Sequence, residues 1–224
     1  SKMSPLQVWY DRIDERRLVE MAPDVETARR RKKFAEKARQ RVGEYLLPKI
    51  SSEVSGRRRL LDQPPIPFHA DEKRDLERAR EAMEDYRLSL PDSVRVLFDR
   101  YRLEDIAVKV VGIGSVGMRC LVGLFSSAEG DPLLLQFKEA SRSVLAPYAG
   151  DSVYQNQGQR VVTGQRLMQS SSDIFLGWTR GRKGFHFFGR QLRDMKFSFP
   201  VELAPPKGLR LYAEVCGLTL ARAH

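Results

Sequence analysis

The 224 residues predict an α+β fold: a helical N-terminal half, then a small antiparallel sheet with one crossing helix, then a C-terminal helix. Three observations carry that expectation. Apolar residues recur at helical spacing through most of the first hundred positions, short apolar runs parted by Gly-containing turns follow from Ala107 to Leu192, and helical spacing returns after Pro200. The chain is accordingly divided into a helical region, 1–105, with a Pro-rich loop near 54–67, a sheet domain, 106–200, and a last helix, 201–224, truncated at His224.

Leu6, Trp9, Ile13 and Leu18 place a helix over 5–20, and Asp24 can cap a second helix running towards Leu47. Gly56 and the prolines beyond it break the pattern, so 54–67 reads as a loop with a short extended piece around Leu60. A charged amphipathic helix follows from Asp71 to about Leu88, and a shorter one begins after Pro91. The stretch from Met118 to Phe125 decides the architecture of the second half. Val122 and Phe125 favour a strand, and Gly123 would weaken a helix interior by about 1 kcal/mol relative to alanine. Ser126 to Asp131 is a turn, and Pro132 to Ala140 is a strand carrying Lys138 and Glu139 near its end. Tyr154 to Gln169 fits the crossing helix, with Val161, Val162, Leu167 and Met168 able to face the sheet. Asp173 to Thr179 and Phe185 to Leu192 read as two strands joined by the basic turn Arg180 to Gly184. The final helix, from about Lys207, is expected to bury Leu211, Val215, Leu218 and Leu220.

The formal charge of +10 divides as +6 over residues 1–64, −3 over 65–105 and +7 over 106–224. Its first peak is the run Arg29 to Lys33, expected to be a solvated helix face rather than a nucleic-acid surface. The second excess surrounds a glycine loop, where anionic phosphates would account for it. No segment reaches the roughly 18 apolar residues of a membrane span, and the N-terminus lacks a signal-peptide core, so a cytoplasmic location is expected. Cys120 and Cys216 are expected to be buried free thiols. His69, His186 and His224 are too scattered in sequence to spell a metal site.

Gly112, Gly114 and Gly117 form a G-x-G-x-x-G loop, a pattern that brings bare backbone amides close to an anion. Two architectures use it. In a Rossmann reading a helix starts near Val116, and Glu139 falls about 20 positions on, where an acid would hold a ribose. A kinase-like reading has the loop joining two antiparallel strands while Lys138, on a third, reaches the same phosphates. A purely structural turn is the third possibility, and the composition of 118–125 favours the kinase-like one. There Gly112, Gly114, Ser115 and Gly117 cover the phosphates of ATP, Lys138 contacts them, and the backbone from Gln191 to Arg193 receives the adenine. Arg119 and Arg193 are further anion contacts or surface salt-bridge residues. No catalytic residue and no metal ligand is assigned.

The runs Val-Gly-Ile-Gly-Ser-Val-Gly-Met-Arg (111–119), Gly-Gln-Arg-Val-Val-Thr-Gly-Gln-Arg-Leu-Met-Gln (158–169), Ser-Asp-Ile-Phe-Leu-Gly-Trp (172–178), Arg-Gln-Leu-Arg-Asp-Met-Lys (190–196) and Leu-Ala-Arg-Ala-His (220–224) resemble an uncharacterised bacterial family, domain of unknown function twenty-two fifty-two. The resemblance extends over nearly the whole chain. It implies that longer members carry, upstream, acidic loops similar to the catalytic and metal-binding loops of aminoglycoside and choline kinases, in a circularly permuted order. This chain has neither loop. His69-Ala-Asp71 is the nearest spelling and is expected to be a surface loop. There is also no glutamate between Ala140 and Phe199 to pair with Lys138; Gln165 or Gln169 could hydrogen-bond it, and Thr163 stands where relatives would have an acid. The expected function is therefore a kinase-like ATP-binding lobe with weak affinity and no phosphotransfer by this chain alone. The alternatives are an interaction or nucleic-acid-binding module built on the basic helix, and a Rossmann-type dinucleotide binder.

Overall fold

The computed structural model describes residues 11, 14–22, 24–39, 47–54, 56–62, 69, 72–109, 117–192 and 201–224. In chain order the helices and strands are α1 (Glu15–Glu20), α2 (Val25–Arg39), α3 (Leu47–Ile50), β1 (Ser51–Val54), β2 (Arg57–Leu60), α4 (Glu72–Ser89), α5 (Asp92–Phe98) and β3 (Tyr101–Val108). They continue with β4 (Cys120–Ser127), β5 (Pro132–Glu139), α6 (Ala146–Ala149), α7 (Gln157–Met168), β6 (Gly177–Arg180), β7 (His186–Gln191) and α8 (Pro206–Ala223). The fold is mixed α+β, as the sequence predicts. Two compact units divide it: residues 1–42, 165–172 and 194–224 form one, and 43–164 with 173–193 the other.

In the first unit, helix starts follow their caps. Asp14 Oδ1 accepts the Arg17 amide at 2.9 Å, so the helix expected over 5–20 begins, among the described residues, only at Glu15. Asp24 Oδ1 accepts the Thr27 amide at 2.7 Å and starts α2 as anticipated. Arg29, Lys32 and Lys33 of the basic run are exposed, while Arg31 turns back to donate to the Leu18 carbonyl. Helix α8 departs from expectation. None of its residues is buried; Leu211 and Val215 are only half-buried, Leu218 and Leu220 are exposed, and so is the Cys216 thiol. The unit holds α8 by polar contacts, Arg222 donating to the carbonyls of Met168 at 2.8 Å and Asp11 at 3.3 Å.

The second unit is built on a five-stranded antiparallel sheet of order β3-β4-β5-β7-β6. Its consecutive strands β3, β4 and β5 are the predicted antiparallel trio, although β3 starts at Tyr101, earlier than the glycine loop implied. Cys120–Ser127 is strand, so the helix that a Rossmann arrangement requires there is absent. Residues of adjacent strands that stand directly opposite share a sheet face. On one face Phe125, Leu133, Leu135, Phe137 and Phe187 pack under Tyr86, Leu90 and Phe98 of the α4–α5 segment. Tyr86 and Phe98 meet edge-on with centroids 5.5 Å apart, and Tyr86 and Phe137 at 5.1 Å, each such pair adding about 0.5–1.5 kcal/mol beyond area burial.

Close approach makes glycine necessary at two neighbouring points beneath Tyr86. Gly177 and Gly189 stand opposite each other on β6 and β7, and a Cβ on either would lie 3.0 Å and 2.6 Å, respectively, from the Tyr86 ring. The Tyr86 hydroxyl donates to the Phe175 carbonyl.

The other face carries Ala107, Val122, Leu124 and Leu134, covered by Leu47 of α3 and Leu60 of β2. Here the loop expected over 54–67 is corrected: β1 and β2 form a hairpin turning at Gly56, whose φ is +73°. Arg57–Leu60 does not alternate apolar with polar; Leu60 packs on this sheet face, and its amide donates to the Asp105 carboxylate at 2.8 Å. Residues 55 and 63–67 of the expected loop lie outside the described residues.

Candidate functional site: a basic sheet face

Of the glycine loop, Gly112, Gly114 and Ser115 lie outside the described residues. Gly117, exposed and with φ +82°, leads into β4. Directly across from Cys120, the first residue of β4, stands Lys138 on β5, so the lysine sits at the end of the sheet where the glycine segment joins β3 to β4. The alternation of strands then extends the face. Gln136 lies two residues from Lys138 and opposite Arg190 of β7, while Lys138 is opposite Phe188. Just past the end of β3, Lys109 follows Ala107 by two residues, and its amide donates to the Cys120 carbonyl at 2.8 Å.

Three cations, Lys109, Lys138 and Arg190, therefore surround Cys120. The thiol is only 2% exposed and accepts from Gln136 Nε2 at 3.4 Å. Burial raises its pKa above the ordinary thiol value, opposed by Lys138, the Gln136 hydrogen bond, Lys109 and Arg190 in that order. Lys138 and Arg190 are half-buried, and neither has a hydrogen bond or an ion pair among the described residues. Sequence reading found Lys138 but missed Lys109 and Arg190, which need the pairing register to be placed beside it.

Glu139 points to the opposite face, as its position after Lys138 requires. Its Oε2 accepts the Arg119 amide and guanidinium, each at 3.0 Å, and the guanidinium carbon lies 3.7 Å from the centroid of the Phe185 ring. Arg119 is thus a salt-bridge residue. At the strand proposed to receive a base, the Gln191 amide is already committed to Asp173 Oδ2 at 2.6 Å and the Leu192 amide to the Leu134 carbonyl at 2.9 Å. Arg193 lies outside the described residues. Helix α7 supplies no carboxylate; the Gln165 carbonyl accepts the Gln169 amide at the helix end.

A second polar constellation corrects the expectation of a surface loop at His69. The imidazole is 6% exposed and sits between two carboxylates: Nδ1 is 2.8 Å from Asp62 Oδ1, and Nε2 is 3.1 Å from both oxygens of Asp105. With both ring nitrogens facing acceptors, the doubly protonated ring satisfies every contact. The hydrogen bond to Asp105 outweighs burial and holds the His69 pKa above its usual value, with Asp62 adding to the effect. The Asp62 pKa is lowered by the His69 backbone amide and then by its ring. Asp105 also accepts the amides of Leu60 and Ile106 at 2.8 Å each. A ring so fully engaged fastens segments together and has no free nitrogen with which to act as a base.

A groove of about 890 Å³ in this unit is lined by residues including Arg58, Arg80, Met83, Tyr101, Phe98 and Phe125, and contains none of the basic-face cations. Its size fits a small ligand. Among the described residues no cluster of three or more His, Cys, Asp or Glu side chains could hold a metal ion, and no helix is long and apolar enough to cross a membrane. A family model described as "Uncharacterized protein conserved in bacteria (DUF2252)" matches residues 1–224. Neither a curated protein nor a solved structure matches the chain.

Proposed function

Since the chain belongs over residues 1–224 to this uncharacterised bacterial family, we propose that it carries a kinase-like nucleotide-binding lobe with ATP as its ligand. The observation that carries the reading is the position of Lys138. It is half-buried, has no anionic partner among the described residues, and stands at the sheet end that bears the glycine segment, between two further cations. The order of elements, three antiparallel strands, a helix and two more strands, is what a kinase-like lobe calls for and supports the same reading. Lys138 contacts phosphate from the sheet while the amides of Gly112, Gly114, Ser115 and Gly117 cover it.

Phosphoryl transfer requires a base, metal-holding acids and an oriented lysine acting together. Asp105, which the pairing places on this sheet face, is engaged by His69 and two backbone amides, so transfer depends on other groups. The arrangement is suited to holding a nucleotide, and turnover is not expected from this chain alone.

ATP at about 100 times its dissociation constant should stabilise the fold by about 2.7 kcal/mol. For a chain of this size that is a melting shift of roughly 5–10 °C. Lys138→Ala should shrink the shift, with no radiolabelled phosphate reaching protein or candidate acceptors. A full shift in Lys138→Ala would remove the lysine from the site, and Lys138-dependent transfer would show that the acids are present after all. An interaction module on α2 is the second reading, favoured by the exposure of Arg29, Lys32 and Lys33.

A further inference from the structure

We propose that the groove beside β3 receives an extended peptide of alternating apolar and acidic residues, supplied by a partner protein, which joins the sheet as a further strand. The groove, about 890 Å³, is lined by four consecutive residues of β3, Tyr101 to Glu104. Side chains of a strand alternate between faces, so four in a row border one space where that space runs along the strand's edge. β3 stands at one end of the five-stranded sheet. β4 pairs with its inner edge, and among the described residues the backbone of Tyr101–Glu104 bonds to no other segment. Every second residue of such an edge turns its N–H and C=O outward, a template on which another strand can pair.

The lining sets what the peptide must carry. Tyr101 and Leu103 pack with Met83 of α4 against the aromatic cluster containing Phe98 and Phe125, and all five border the groove, so one row of peptide side chains meets an apolar wall. Arg102 stands opposite Ser126 on the other face of the sheet, and Arg58 of the β1–β2 hairpin and Arg80 of α4 border the same space. Glu53 and Glu104 border it too, so arginines outnumber carboxylates three to two. None of these five charged side chains has a hydrogen bond or an ion pair among the described residues. Guanidinium forks match carboxylates, which makes acidic residues the complement for the alternate positions. Glu104 fills the bulge where the register shifts between Leu103 and Asp105, and regular pairing ends there. At about 3.4 Å per residue, the four lining residues offer an edge of about 14 Å, enough for about four residues of an added strand.

Fluorescence anisotropy of the full chain with a fluorescein-labelled octapeptide of alternating valine and glutamate tests this. The peptide should bind, and one with lysine in place of glutamate should bind about tenfold more weakly or worse. Two N-methylated forms of the glutamate peptide, one methylated at every valine and the other at every glutamate, separate strand addition from simple charge attraction. Only one set of alternate amides faces β3, so one form should lose binding and the other keep it. Arg102→Glu should weaken the glutamate peptide by about tenfold. No binding of that peptide would overturn the proposal, as would equal effects of the two methylations, whether both forms bind or both fail. Undiminished binding by folded Arg102→Glu would also overturn it, by placing the peptide elsewhere. The comparison of methylated forms uses the unmodified chain, so it stands even if the variant fails to fold.

Discussion

Replacing His69 by alanine removes the clamp between Asp62 and Asp105 and exposes what it contributes. Asp105 would keep its two amide donors at 2.8 Å, lose the Nε2 contacts at 3.1 Å and remain almost fully buried with its charge. A hydrogen bond to a charged group contributes about 1.5–3 kcal/mol, and removing one partner of a buried pair costs about 3–5 kcal/mol. The surviving amides place the expected loss at the low end of the second range, about 3 kcal/mol, or a fall in Tm of about 6–12 °C. Circular-dichroism melting across a pH series is the assay, because the sign of the pH dependence is fixed. The folded pKa of His69 is raised, so its contribution is complete below the ordinary value of 6.5 and is lost as pH rises through the raised one. The folded pKa of Asp62 is lowered, so its contribution is present above the ordinary 3.8 and is lost as pH falls through the lowered one. The gap between wild type and His69→Ala should be widest at about pH 4–6.5 and should narrow towards alkaline pH. A gap that is flat or grows above neutrality would refute the doubly protonated clamp.

Three further outcomes can be checked independently. In α7, Gly158→Ala would set a Cβ 2.1 Å from the Phe187 carbonyl oxygen and should destabilise by about 1–3 kcal/mol, whereas Gly164→Ala, with open space around it, should gain up to about 1 kcal/mol; urea unfolding that ranks the two variants equal would contradict the close helix–strand packing. N-ethylmaleimide should label native protein once, at exposed Cys216, and a second time only after denaturation frees Cys120; mass spectrometry showing rapid double labelling would mean the basic face is open to its floor. Gel shifts with generic DNA at near-physiological salt should show micromolar binding at best, and nanomolar binding that is salt-sensitive and lost in an Arg29, Lys32, Lys33→Ala variant would favour the interaction-module reading.

What could be read from the chain depended on how local its cause was. The identity of β4 as a strand was legible because Val122, Gly123 and Phe125 speak to their own backbone preferences, and the cap at Asp24 acts within three residues. The β1–β2 hairpin was not legible: its anchor, Asp105, lies 45 residues from Leu60. His69 was misplaced for the same reason, since its burial depends on Asp105, 36 positions further along. The apolar spacing of α8 was real, but periodicity alone does not say whether a neighbouring surface exists to cover it. Lys138 could be picked out by its distance from the glycines, whereas Lys109 and Arg190 belong to the same face only through strand pairing.

The glycine pair under Tyr86 has a further consequence for how β6 and β7 find each other. A slip of one residue would turn the wrong side chains inward and is opposed by the apolar pattern itself. A slip of two keeps every side chain on its proper face, so the pattern cannot reject it. Tyr86 can: a two-residue slip brings Phe187 or Gln191 of β7, or Phe175 or Thr179 beside β6, to the place where only a missing side chain fits. The ring thus acts as a gauge on the outer strands, admitting one alignment by the absence of an atom, and it hands the adjoining strand β5, with Lys138 on it, a partner held at a fixed offset.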